Sequence, residues 1–313
     1  VKRFIHCFIH YALAVALLGL GLHTWPAHAQ SGNANIERLT QIRTRGEVTL
    51  GYRATSPPFS YLSGKQQPPI GYSMDICHGI VQALRTHLAQ PGLRIRYLPV
   101  TVATHITRAA NGTVDMVCGP TTNTAFRQRQ VAFAPTTFVS SARFASLKAI
   151  QQPDLASLRD KTVVALAGST PLIWLTQANA EQNLGIRILP AQEPAEAFRT
   201  VETGWAAAFF VDDVLLANLI ANSRQPDAWV IGPQAHTVEP YGIVLPKDQP
   251  AFKQVVDEAV IAMMHDGRLQ ALYDKWFTQP IPPKGINLNL PMSEALQRVI
   301  KQPTDSPDPA VYQ

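Results

Sequence analysis

The chain has 313 residues, with 27 Lys and Arg against 22 Asp and Glu, a formal net charge of +5 and 46% hydrophobic residues. That length is ample for a large core and suggests about two lobes. The charges are scattered rather than clustered, which argues against a nucleic-acid partner.

Read from the start, Lys2 and Arg3 precede a mostly apolar stretch over 11–22, and Ala27-His28-Ala29 stands before Gln30. This is the charged, apolar and small-residue pattern of a cleaved secretory signal over 1–29. The stretch is too short to span a bilayer comfortably, and no second apolar run of about eighteen residues follows. The exported chain is therefore expected to be soluble and periplasmic. Cys7 lies ahead of the apolar stretch, so no lipid anchor is indicated. Cleavage leaves 284 residues (313 minus 29) with 25 basic against 22 acidic side chains, about +3. Cys77 and Cys118 remain. In an oxidising compartment an even pair invites a disulfide; the alternative is two buried thiols acting as small apolar residues.

Strands and helices then alternate. "EVTLGYR" (47–53) reads as a strand, and 71–88 places Ile76, Ile80, Val81 and Leu84 on one helical face. "LRIRYLPV" is a second strand, followed by a short helix, an Asn-Gly turn at 111–112 and a third strand ending at Cys118. This series favours a largely parallel sheet. The pattern repeats: "TVVALAGST" (162–170) is a strand entering a Gly-Ser-Thr corner, and helix, strand, helix and strand follow through "WAAAFFVDD". Over 250–277 apolar residues recur at helical spacing, broken at Asp266-Gly267. The three prolines and few apolar groups after Gln302 predict a disordered tail.

No H-E-x-x-H, G-x-S-x-G, C-x-x-C, Walker loop or G-x-G-x-x-G occurs, so nothing demands a metal, a nucleotide or another cofactor. What does stand out is "CGPTTNTAFRQRQVAF" (118–133). In open α/β sheets ligands sit beyond the carboxyl ends of the strands. Polar corners fall there at 119–127 and again at Gly168-Ser169-Thr170. Free N–H groups at a helix start, threonine hydroxyls and the planar guanidinium of Arg127 suit a carboxylate. The plainer alternative is that Thr121 and Thr122 cap a helix while Arg127 and Arg129 are solvated.

From residue 39 to about 283 the chain resembles the bacterial extracellular solute-binding proteins of family 3, which deliver amino acids to ABC importers, and is most similar to their glutamate/aspartate-binding branch. The resemblance rests on "GYRATSPPFSY", "GYSMDICHGIVQAL", "NGTVDMVCGPTTNTAFRQRQVAF", "EAFRTVETGWAAAFFVDDVLLA" and "ALYDKWFTQPIPPKGINLN". It implies an α/β, two-lobed type II periplasmic-binding-protein fold with a hinge and a ligand cleft between the lobes. Lobe 1 would comprise 30–139 plus 240–290, lobe 2 would comprise 140–239, and 291–313 would form a C-terminal tail, with crossing segments near 138–141 and 239–242. It further implies that Arg127 and Thr122 bind the ligand α-carboxylate with help from the Ser169-Thr170 corner, and that Asp212 takes the α-ammonium, Asp213 being the alternative. Phe59 would pack a ring on the ligand, and Arg53 would face its side chain. The family pattern is broken at Val102, His105, Pro120 and Pro194, where polar or charged contacts to a side-chain carboxylate are replaced; His105 stands in place of an arginine. The implied partners are an amino acid and an inner-membrane permease, and the chain is expected to act as a monomer without catalytic residues. A dehydratase of the cyclohexadienyl type on the same scaffold is the runner-up, and a ligand-sensing module comes third.

Overall fold

The computed structural model describes residues 37–64, 66–150 and 153–313; the expected secretory signal over 1–29, with Cys7, lies outside them. In the first lobe the chain forms α1 (Arg38–Arg45), β1 (Glu47–Tyr52), the short strands β2 (Thr55–Ser56) and β3 (Ser60–Tyr61), α2 (Tyr72–His87), β4 (Arg94–Pro99), α3 (His105–Ala110), β5 (Met116–Cys118), α4 (Ala125–Gln128) and β6 (Val131–Phe133). It then crosses through β7 (Phe138–Ser140) into β8 (Ala142–Leu147), β9 (Thr162–Leu166), α5 (Thr170–Glu181), β10 (Arg187–Ala191), α6 (Pro194–Glu202), β11 (Ala208–Asp212), α7 (Asp213–Ala221) and β12 (Trp229–Ile231). The return runs through β13 (Glu239–Tyr241) to β14 (Val244–Pro246), α8 (Pro250–His265), α9 (Arg268–Tyr273) and α10 (Glu294–Lys301).

Two five-stranded sheets result, in the orders β4-β1-β5-β14-β6 and β10-β9-β11-β8-β12. Each has three parallel strands joined to an antiparallel pair. The inner parallel strands β1, β5, β9 and β11 are buried on both faces, as continuous apolar runs such as "AFFVD" require, whereas the edge strands β4 and β10 are not. In α2 the Ile76, Ile80, Val81 and Leu84 face is fully buried, as its spacing predicts. The crossing strands β7 and β13 pair antiparallel, Glu239 opposite Ser140 and Tyr241 opposite Phe138. They meet an aromatic cluster in which the Phe138 ring lies 4.9 Å from Phe59 and 5.0 Å from Phe277 between centroids.

Two features bear on the sequence reading. Cys77 and Cys118 form a disulfide that ties α2 to the end of β5. The segment after Gln302 is ordered against the expectation of disorder. Its Thr304 carbonyl accepts from the Thr136 N–H at 2.8 Å, and its Asp305 carbonyl accepts from Asn123 Nδ2 at 2.8 Å and Gln128 Nε2 at 2.9 Å. Tyr312 is buried, with its hydroxyl 2.9 Å from Thr136 Oγ1 and donating to the Ser306 carbonyl at 2.7 Å. Composition misleads here because the segment takes its partners from the first lobe rather than building a core of its own.

Candidate ligand-binding site

Both polar corners emerge at carboxyl ends of parallel strands. β5 leads through 119–124 into α4, and β9 leads through Ala167-Gly168 to Ser169, whose side chain caps α5 by accepting from the Leu172 N–H. The corners meet across a small cavity of about 30 Å³. Arg53, Ser56, Val102, His105, Pro120, Thr122 and Arg127 line it from one side, and Leu166, Ser169, Thr170, Pro171, Val211, Asp212 and Leu215 from the other. Gly168 adopts φ +80°, and an added Cβ would lie 3.3 Å from the Ala103 Cα and the Val102 carbonyl. Glycine thus serves both the left-handed turn and the close approach of the two backbones.

Arg127 sits on α4, whose cap Thr124 accepts from the Arg127 N–H. Its buried guanidinium donates to the Thr122 carbonyl at 2.8 Å and, across the cleft, to the Gly168 carbonyl at 3.4 Å. Burial lowers its pKa, opposed by the carboxylates of Glu239 and Asp212, and no ion pair compensates it among the described residues. A buried cation facing only carbonyls favours an incoming anion. Arg53 is also buried, its pKa pushed down to about 10 by burial against the pull of Glu193 and Tyr241.

Asp212 ends β11 at the cap position of α7, yet its side chain makes no capping hydrogen bond; Oδ1 is buried without a well-formed hydrogen bond, with the Tyr241 hydroxyl beside the carboxyl group. Burial and then the Glu239 carboxylate raise its pKa well above the usual range, so a cation placed beside it would let it ionise. Asp213, by contrast, is committed elsewhere. It accepts from Ser140 Oγ at 2.7 Å and Ser141 Oγ at 2.9 Å, and pairs with Arg143 at 3.3 Å.

Four expectations need correction. Phe59 does not line the cavity; its ring is fully buried in the aromatic cluster, edge-on to Tyr72, Phe138, Tyr241 and Phe277. A hydrophobic ring beside two prolines gave no way to tell the two faces apart. The Thr122 hydroxyl is not free to bind a ligand carboxylate, because it donates to Glu239 Oε2 at 2.6 Å. The Ser169 hydroxyl likewise donates to the Leu166 carbonyl at 2.7 Å while capping α5. What the two corners retain is backbone: as the first residue of α5, Thr170 has an N–H with no acceptor in the helix. Pro194 does not line the cavity either; it starts α6 behind the capping box of Glu193 and Glu196.

Sequence reasoning missed Glu239. Its carboxylate accepts hydrogen bonds from the hydroxyls of Thr122 of the first lobe, Thr170 of the second and Thr237, each at 2.6 Å. The one hint was a carboxylate inside an otherwise apolar crossing segment. A further interlobe bond, from Thr55 to Glu193, was also unforeseen. His105 does line the cavity, but not as a cation: burial, then the charges of Arg127 and Arg53, hold its pKa at about 3.

Two lobes hinged by paired strands, with a buried guanidinium and a buried carboxyl group facing a shared cleft, define a solute-binding class of protein. The match to the model of bacterial extracellular solute-binding proteins, family 3, over residues 48–279 makes the assignment plain: the chain belongs to that family. It is 44% identical over 267 residues to an L-glutamate/L-aspartate-binding protein of Pseudomonas aeruginosa, covering 85% of this chain and 88% of that one. A glutamate/aspartate import solute-binding protein of Escherichia coli is 38% identical over 293 residues, covering 93% and 97%. Among solved structures, a mutant ArgBP from T. maritima superposes with a TM-score of 0.67 at 21% identity, over 76% of this chain and 98% of that one.

Proposed function

We propose that the chain is a periplasmic binding protein that clamps one α-amino acid, with an acidic or polar side chain, between its lobes and delivers it to an ABC importer. One observation carries this: the buried Arg127 guanidinium and the buried Asp212 Oδ1 face the same cavity from opposite lobes. They complement the two charged ends of an amino acid, the carboxylate at Arg127 and the Thr170 N–H, the ammonium at Asp212. Arg53 and His105 stand toward the ligand side chain. The relatives' glutamate/aspartate binding and import support the same class of ligand and an inner-membrane permease as partner. Both lobes come from one chain, so the clamp needs no residue from a second copy, and we expect the chain to act as a monomer.

A thermal-shift screen of the twenty amino acids tests the reading. A true ligand at 100 times its dissociation constant adds about 2.7 kcal/mol of stability. Turnover of prephenate or arogenate with no amino-acid stabilisation would instead favour an enzyme on this scaffold.

A further inference from the structure

Three polar cavity side chains, Arg53, Ser56 and His105, are used by neither end of an amino acid; the Ser56 hydroxyl both donates and accepts, so it does not discriminate between an acid and an amide. The guanidinium of Arg53 is buried beside the cavity and makes no hydrogen bond or ion pair among the described residues; only its backbone N–H is engaged, with Ser60 Oγ. It offers donors and no acceptor. His105 is the complement. Its Nδ1 lies 3.1 Å from the Thr101 carbonyl oxygen, and since a carbonyl only accepts, Nδ1 carries the hydrogen. The ring is neutral, so Nε2 holds a lone pair, and it is buried without a partner.

This wall therefore presents donors at one point and an acceptor at another. A side-chain carboxylate satisfies Arg53, but at Nε2 it either meets a lone pair or requires a proton on a ring whose burial and cationic neighbours oppose charging. A lysine or arginine side chain would bring a second cation to Arg53. A hydroxyl offers both functions on a single atom, which would have to reach both residues at once. A primary carboxamide has its acceptor and its donor on separate atoms, as the wall has its donors and acceptor on separate residues. Val102 and Pro120, on the same wall, offer no side-chain donor, which leaves the Ser56 hydroxyl as the one neutral donor there alongside the Arg53 guanidinium.

We propose that the cleft selects an amino acid ending in a primary carboxamide, of the glutamine or asparagine class, over the corresponding acid, with Arg53 donating to the amide oxygen and His105 Nε2 accepting from the amide N–H. The proposal rests on the amino-acid clamp described above.

Calorimetry on the purified protein at pH 7.5 with glutamine, asparagine, glutamate and aspartate tests it. One carboxamide is expected to bind at least about tenfold more tightly than the acid of the same length, the cost of burying a mismatched polar pair. His105→Arg turns the acceptor into a donor and is expected to reverse the preference. His105→Gln, whose amide can present either its acceptor or its donor, is expected to weaken the preference without reversing it; thermal melts establish that each variant is folded. Equal or tighter binding of the acid by the unmodified protein, or a folded His105→Arg that still prefers the carboxamide, overturns the proposal. In those cases Arg127→Ala still weakens whichever ligand binds, and the clamp stands. Binding of no amino acid at all overturns both.

Discussion

Arg127 and Arg129 lie two positions apart in opposite surroundings. Arg127 is buried with only carbonyls as acceptors, whereas Arg129 is exposed, its guanidinium 4.6 Å from the Phe126 ring centroid. Leaving a ligand carboxylate buried without its cation costs about 2 to 5 kcal/mol, so Arg127→Ala should weaken binding by roughly 30-fold or more while Arg129→Ala changes little. Equal losses by calorimetry would remove Arg127 from the clamp. His105 gives a stability test independent of any ligand. Its folded pKa of about 3 lies below the unfolded value near about 6.5, so between those limits the unfolded chain binds more protons. The contribution is full above the unfolded pKa and is lost as pH falls toward the folded one, at up to about 1.4 kcal/mol per pH unit. His78 and His236 are shifted in the same direction, so the contrast with His105→Gln isolates this residue. Between pH 7.5 and 5, urea titrations should find the parent losing about 2 kcal/mol more than the variant. At this scale the sequence revealed charged residues in the corners beyond the strands, Arg127 on α4 and Asp212 at the end of β11 among them. It hid how their neighbours' protons are spent: Thr122 looks like a ligand donor until Glu239 is seen beside it.

Elements were legible wherever one periodicity governed a whole segment. The α2 face and the buried strand β11 follow from spacing alone, because burial on one or both sides dictates which positions are apolar. The C-terminal segment was not legible, since its order depends on acceptors and donors more than a hundred residues away. Tyr312→Phe removes the hydroxyl shared between Thr136 and Ser306 and should cost about 1 to 3 kcal/mol in chemical denaturation. Rapid proteolytic trimming of the folded protein behind Lys301 would contradict the docked segment. The disulfide acts on a longer scale. Its cysteines are 41 positions apart, so the bridge restrains a large loop of the unfolded chain and contributes on the order of 3 to 4 kcal/mol. Cys77→Ser with Cys118→Ser should lower stability by that amount. Two free thiols in the denatured, unreduced protein would show that the bridge does not form in solution.

At the scale of the whole molecule, the repeated α/β rhythm was enough to expect two lobes, and the crossing segments fell close to the paired strands β7 and β13. How tightly the lobes meet was not readable, because it depends on single close approaches such as Gly168 against Val102 and Ala103. Gly168→Ala places a methyl in that contact at a left-handed backbone position, at a cost of about 1 to 2 kcal/mol. It should therefore weaken ligand binding by about tenfold while leaving each lobe folded. Small-angle scattering should register a smaller radius of gyration on ligand addition to the parent protein, and a constant radius would argue for a rigid scaffold. Glu239 carries a consequence for timing. Its Oε2 gathers hydroxyls from Thr122 and Thr170, one from each lobe, so the lobes are fastened by bonds that owe nothing to a bound solute. A cleft that latches itself shut is blocked to arriving molecules until it springs open, so capture should be slower than diffusional encounter and should saturate at high solute concentration in stopped-flow traces. Glu239→Gln replaces charge-assisted bonds with weaker neutral ones. It should raise both the capture rate and the escape rate, trading residence time for speed at the mouth of the importer.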